Sequence, residues 1–75
     1  MITLEQIKIK LSETIQQSGL SQSEIARRVG VNHSQISRYV NKQKLPSLDN
    51  FANLCAVLDV DPSDILCISE YKRSN

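Results

Sequence analysis

The chain has 75 residues with nine Lys and Arg against eight Asp and Glu, so it carries a net charge of only +1. That length suits one small domain able to hide about 60% of its unfolded surface, and leaves no room for a second. The apolar residues come in ones and twos, never in a run near the roughly 20 needed to cross a bilayer, and no signal peptide is evident, so the expected location is cytoplasmic.

The first helix is announced by Thr3-Leu4-Glu5-Gln6, a capping box in which hydroxyl and carboxamide exchange bonds with each other's backbone. Leu4, Ile7, Leu11 and Ile15 follow on one face, and Gly19 is expected to end the helix. A second box, Ser21-Gln22-Ser23-Glu24, starts the next one, with Ile25, Ala26 and Val29 facing inward and Arg27 and Arg28 turned away. Gly30 can adopt positive φ at almost no cost, which permits an abrupt corner after which Val31 folds back onto the core.

Asn32 is expected to cap a third helix through its side-chain oxygen, with Gln35 as the return partner. Ile36, Tyr39 and Val40 form that helix's buried face, which leaves His33, Ser34, Ser37, Arg38 and Asn41 outward, all with hydrogen-bonding groups. Two short capped helices around a glycine corner read as a helix-turn-helix, and such outward groups suit base edges and phosphates. Pro46-Ser47 sets up a fourth helix through Leu48, Phe51, Ala52, Leu54, Cys55 and Leu58, expected to be the most buried element. Asp61-Pro62-Ser63-Asp64 opens a short fifth, with Ile65 and Leu66 inward. No segment reads as a strand. Residues 1–68 form the expected domain and 69–75 a polar, frayed tail.

The small net charge hides a separation. From Ser21 to Lys44, Arg27, Arg28, Arg38, Lys42 and Lys44 stand against Glu24, a balance of +4, whereas Leu45 to Leu66 holds only Asp49, Asp59, Asp61 and Asp64, a balance of −4. A basic face could meet phosphates while an acidic one stays in solvent or approaches a partner. Helix-start complements are the favoured reading of Asp49, Asp61 and Asp64.

The chain resembles the Cro/C1-type helix-turn-helix family of phage repressors and small bacterial regulators. The resemblance rests on Gln22, Ala26, Gly30 and Ile36 at matching spacing and on Leu45-Pro46-Ser47, and it runs from about Leu4 to Leu66. It implies an all-α, five-helix bundle of the lambda-repressor-like kind, with the helix-turn-helix at helices 2 and 3. Carried over by position, it implies that Gln22 holds a DNA phosphate and that His33, Ser34, Ser37 and Arg38 face the bases. Asn41, Lys42 and Lys44 fall where the family touches the backbone after the recognition helix, and Asn32 at its start is counted with them. Many members have Glu, one residue, then Gly after that helix, where this chain has Val40-Asn41-Lys42; a different loop conformation into Pro46 is the expectation.

Arg38 is the stronger candidate for specificity, because a guanidinium can bind both acceptors on guanine's major-groove edge; a phosphate contact is its alternative. His33 has no second catalytic group near it in the sequence, so no enzymatic activity is expected, and capping or a phosphate contact is its structural alternative. Cys55 and Cys67 are too few and wrongly spaced for zinc, and no metal or cofactor is expected. Cys55 reads as a core residue and both as reduced thiols.

One recognition helix gives a short footprint, so a homodimer on a palindromic operator is expected. Val57, Val60, Ile65, Ile68 and Tyr71 are its candidate surface. The reading is a sequence-specific regulator of double-stranded DNA, acting as a repressor by occlusion, with contact to polymerase through the acidic side as the other course. The alternative is an antitoxin-type module whose main partner is a toxin protein.

Overall fold

Five helices follow from these signals in a computed structural model that describes residues 1–69: α1 (Leu4–Gln16), α2 (Gln22–Val29), α3 (His33–Val40), α4 (Leu48–Leu58) and α5 (Pro62–Ile65). No strand occurs among the described residues. Tyr71 and residues 70–75 of the expected tail lie outside them.

The box before α1 closes in both directions, with the Gln6 amide donating to Thr3 Oγ1 at 3.2 Å and the Thr3 amide donating to Gln6 Oε1 at 2.7 Å. The inward stripe starts later than the periodicity suggests. Leu4 is 64% exposed and Ile7 is half-buried at the edge of the core, while Leu11, Ser12 and Ile15 are buried. Gly19 (φ 81°) does not end the helix; it turns the chain after α1 has stopped at Gln16, capped by Gln17.

Each of α1 to α4 gives two apolar residues to one core, in chain order Leu11 and Ile15, Ile25 and Ala26, Ile36 and Tyr39, Leu54 and Cys55, with Ile65 added by α5. Fully burying a side chain of the Leu or Ile kind is worth about 1.5–3 kcal/mol, and half-buried residues such as Leu20, Val29, Phe51 and Leu58 pack against this set. α3 packs against both α1 and α2, α4 against α2, and α5 against α1.

α4 is not the most buried element. Leu54 and Cys55 alone are buried on it, Phe51, Val57 and Leu58 are half-buried, and Leu48, Ala52 and Ala56 are exposed, Leu48 at 87%. An eleven-residue helix set against α2 turns one face inward, whatever the composition of its other side. Leu66 is likewise half-buried rather than inward.

Three helices end on a residue in the left-handed conformation that is not glycine: Lys42 (φ 62°) after α3, Asp59 (φ 56°) after α4 and Cys67 (φ 64°) after α5. Each is closed by the paired backbone bonds of a Schellman turn. After α3 these run from the Lys42 amide to the Tyr39 carbonyl (3.2 Å) and from the Gln43 amide to the Arg38 carbonyl (2.9 Å). After α4 they join Asp59 to Ala56 and Val60 to Cys55; after α5, Cys67 to Asp64 and Ile68 to Ser63.

α5 starts on Asp61, whose Oδ1 accepts from the Ser63 amide at 3.0 Å and from the Ser63 hydroxyl at 2.9 Å. Its Ile65 is fully buried. Ile65 therefore belongs to the core of one chain and cannot serve as a dimer contact without unpacking that core. Of the other described candidates for that surface, Val57 and Val60 are half-buried and Ile68 is 37% exposed.

Candidate nucleic-acid interface

α2 begins at Ser21, whose hydroxyl accepts from the Glu24 amide at 3.1 Å. Only this half of the second capping box forms. The Glu24 carboxylate turns along its own helix instead, taking hydrogen bonds from Arg27 Nη2 and Nε and from Arg28 Nε, the last at 2.6 Å. Pairs spaced by three and four residues face each other on a helix, and two guanidiniums outcompete one cap amide for a carboxylate. The hydrogen bonds from Arg27, then the one from Arg28, hold the Glu24 pKa below the ordinary carboxylate range.

At the corner, Gly30 (φ 90°) bonds its amide to the Ala26 carbonyl at 2.8 Å, and the Val31 amide reaches the same carbonyl at 3.0 Å. A Cβ added at Gly30 would meet nothing within 4 Å. The demand for glycine there is conformational and not one of space. Val31, half-buried, then packs back against the core as its position suggested.

Asn32 precedes α3 in extended conformation, but its side chain makes no capping bond. Its backbone carbonyl accepts from the Gln35 amide at 3.0 Å, which takes up the donor that the side chain would have bound. Gln35 is no return partner either; its Oε1 accepts from Lys44 Nζ at 3.3 Å. That bond draws the loop after α3 back over the helix's first turn, and so brings Lys44 beside α3.

With Ile36 and Tyr39 buried, α3 presents His33, Ser34 and Arg38 to solvent, preceded by exposed Asn32 and followed by exposed Asn41, Lys42 and Lys44. The Tyr39 hydroxyl lies in the packed layer, where burial raises its pKa against the opposing effect of a hydrogen bond with Asn50. Ser37 is not free on the outer face. It is half-buried at the α2–α3 seam, and its hydroxyl donates to Gln22 Oε1 at 2.8 Å. The bond orients Gln22 at the start of α2 and leaves its amide hydrogens for another acceptor.

The local charge is less open than the sum of residues implies, since Arg27 and Arg28 share Glu24. Arg38 and Lys42 make no ion pair with any described residue, and Lys44 is held by a neutral carboxamide. The outward cations of this face are thus concentrated on α3 and the loop after it. On α4, Asp49 accepts from the Ser47 hydroxyl at 2.5 Å and the Asn50 amide at 2.9 Å; these two bonds, in that order, lower its pKa.

Besides the Ser37–Gln22 bond, three features were not read from the sequence. The Glu24 clasp had a signal in the spacing of Glu24, Arg27 and Arg28. The Gln35–Lys44 tie had none, since its partners are nine residues apart across an irregular loop. The third is Ser12, 1% exposed on α1, whose hydroxyl donates to the Val40 carbonyl at 2.6 Å. Ser12 stands beside Leu11 on the flank of an apolar face, and nothing in its neighbourhood names a partner 28 residues away.

Both cysteines are free, Cys55 buried and Cys67 half-buried, and burial, then the nearby charge of Asp61, pushes the Cys55 thiol pKa up. Among the described residues no group of three or more His, Cys, Asp and Glu side chains is placed to hold a metal ion. No helix among them is long and apolar enough to cross a membrane.

The family model for the helix-turn-helix matches residues 11–65. The architecture is similar to that of the restriction-modification controller protein C.AhdI from Aeromonas hydrophila, with a TM-score of 0.70, 29% identity, and coverage of 83% of this chain and 94% of that one. Comparison with curated proteins gives no match. From the corner at Gly30, the exposed polar edge of α3 and this match over most of its length, the chain belongs to the helix-turn-helix family, of the Cro/C1 type, and is a DNA-binding regulator.

Proposed function

We propose that this regulator reads a specific double-stranded sequence by laying α3 in the major groove, and that it acts as a repressor by occupying a promoter. The observation that carries this is the division of α3. Ile36 and Tyr39 fix one side in the core, while His33, Ser34 and Arg38 stand exposed on the other with no ion pair to Arg38. Arg38 takes the two acceptors of a guanine. His33 and Ser34, at the helix start, reach adjacent base edges. Ser37 has committed its proton to Gln22 and so can only accept, which suits an amino group of adenine or cytosine. Gln22, Asn32, Asn41, Lys42 and Lys44 bind phosphates on either side and set the register.

The reading includes a two-fold dimer with half-sites about 34 Å apart, built on Val57, Val60 and Ile68. The similarity to a protein named as a controller supports the regulatory role.

Selection of bound duplexes from a random library tests the reading. A palindromic consensus is expected, and Arg38→Ala should then lose about 1–3 kcal/mol on the consensus and relax one position in each half-site. Failure to enrich any sequence would overturn specific reading, and one protein per duplex at saturation would overturn the dimer.

A further inference from the structure

Ser12 and Ser63 are the two buried polar side chains among the described residues. Ser63 is satisfied within its own helix start by Asp61, two residues away. Ser12 is different in kind. Its hydroxyl crosses from α1 to the last carbonyl of α3, Val40, at 2.6 Å, and is itself given a hydrogen bond by Gln16 Nε2 at 2.9 Å.

The last carbonyls of a helix have no partner within it. In α3 the Schellman bonds satisfy Tyr39 and Arg38, and the Asn41 amide reaches Ser37, which leaves Val40 to Ser12. A hydroxyl buried at a core position costs free energy unless it is bonded, and here its proton goes to the end of the recognition helix. Gln16 donates into the same oxygen, and hydrogen bonds in such a chain strengthen one another. The second fixed point on α3 is Ser37, bonded to Gln22. Residues 37 and 40 lie three apart, close to one turn, so the two bonds to different neighbouring helices together restrain both the roll of α3 about its axis and its slide along it.

We propose that Ser12, oriented by Gln16, is a positioning residue for DNA reading: it sets the roll and reach of α3, and hence which side chains arrive at the base edges. The proposal rests on the specific reading of bases given above. Phosphate contacts from flexible lysines tolerate a small rotation of α3, whereas a bidentate contact from Arg38 does not. Loss of the Ser12 bond should therefore erode discrimination between sequences more than affinity as such.

The test uses the full chain with two probes, a duplex enriched by the wild-type protein from a random library and a scrambled duplex of equal length and composition. Affinities are measured across a salt series, with a urea melt to confirm that each variant is folded under the binding conditions. Ser12→Ala should lower the ratio of enriched to scrambled affinity by about tenfold, with scrambled-duplex affinity and the salt slope unchanged. Gln16→Ala, at an exposed position where folding is safe, should lower the ratio in the same direction by about two- to threefold.

An unchanged ratio in both variants, or equal loss on both duplexes, would overturn the proposal while leaving base reading intact. If the wild-type protein itself enriches no sequence, base reading fails first and the proposal falls with it. Should Ser12→Ala be unfolded, Gln16→Ala decides: a reduced ratio supports the positioning role and an unchanged one overturns it.

Discussion

Lys42 permits a substitution in which stability and DNA affinity move in opposite directions. Its backbone sits at φ 62°, in the left-handed region where a side chain costs about 1–2 kcal/mol. Glycine avoids that cost but surrenders roughly 0.5–1 kcal/mol more backbone freedom on folding. The two bonds closing α3 here are both between backbone atoms, and the Lys42 side chain is exposed with no ion pair to a described residue, so no hydrogen bond or ion pair is lost with it. Lys42→Gly should stabilise the fold by about 0.5–1 kcal/mol, a rise of roughly 2–8 °C in Tm for a domain of this size. The same change removes one cation from the proposed phosphate set, so the slope of log affinity against log salt should become shallower by about 0.9.

Asp59→Gly is the control. Asp59 has a similar φ of 56°, is exposed at the end of α4, a helix that packs against α2, and lies outside the proposed phosphate set. It should gain stability too, by a smaller amount because Asp tolerates the left-handed region better than Lys, and its salt slope should not move. Urea melts and fluorescence anisotropy between about 50 and 200 mM salt, the range over which phosphate-dominated binding falls steeply, supply both readouts. A destabilised Lys42→Gly would refute the conformational reasoning, and an unchanged slope in that variant would remove Lys42 from the phosphate set.

Gly30→Ala creates no clash but must hold φ near 90°, so a loss of about 1–2 kcal/mol is expected in thermal melts; a neutral result would mean that the corner relaxes freely. Glu24→Gln should release Arg27 and Arg28, raise affinity for non-specific duplex and steepen its salt dependence, as anisotropy would register. The folded pKa of Glu24 is depressed, so its contribution to stability is complete above the ordinary carboxylate value near about 4.3 and is lost as pH falls through the lower folded value. The stability gap between wild type and Glu24→Gln should hold from neutral pH down to that range and close below it; a gap that widens on acidification would contradict the assignment.

Local chemistry determined the helices of this protein, and their order along the chain. Caps, Pro46, Pro62 and the glycine corner act within three or four residues, and every helix expected from them is present. The three capping boxes mark where that reach ends. The one before α1 closes fully because nothing competes for it. The one before α2 closes by half because two arginines hold Glu24, and the one before α3 not at all because the Asn32 carbonyl takes the amide.

Exposure was decided by the tertiary structure. Leu48 and Ile65 are both apolar and both lie on helices, yet one is 87% exposed and the other fully buried, since burial depends on which neighbouring helix covers a face. The outward set on α3 was legible from its period except for Ser37, whose half-buried place at the seam requires knowing where α2 crosses. Ser12 was invisible for the same reason. A helix pattern reports which side of itself is apolar, but the carbonyl that receives the Ser12 proton lies 28 residues away, and only the packing of α1 against α3 brings the two together.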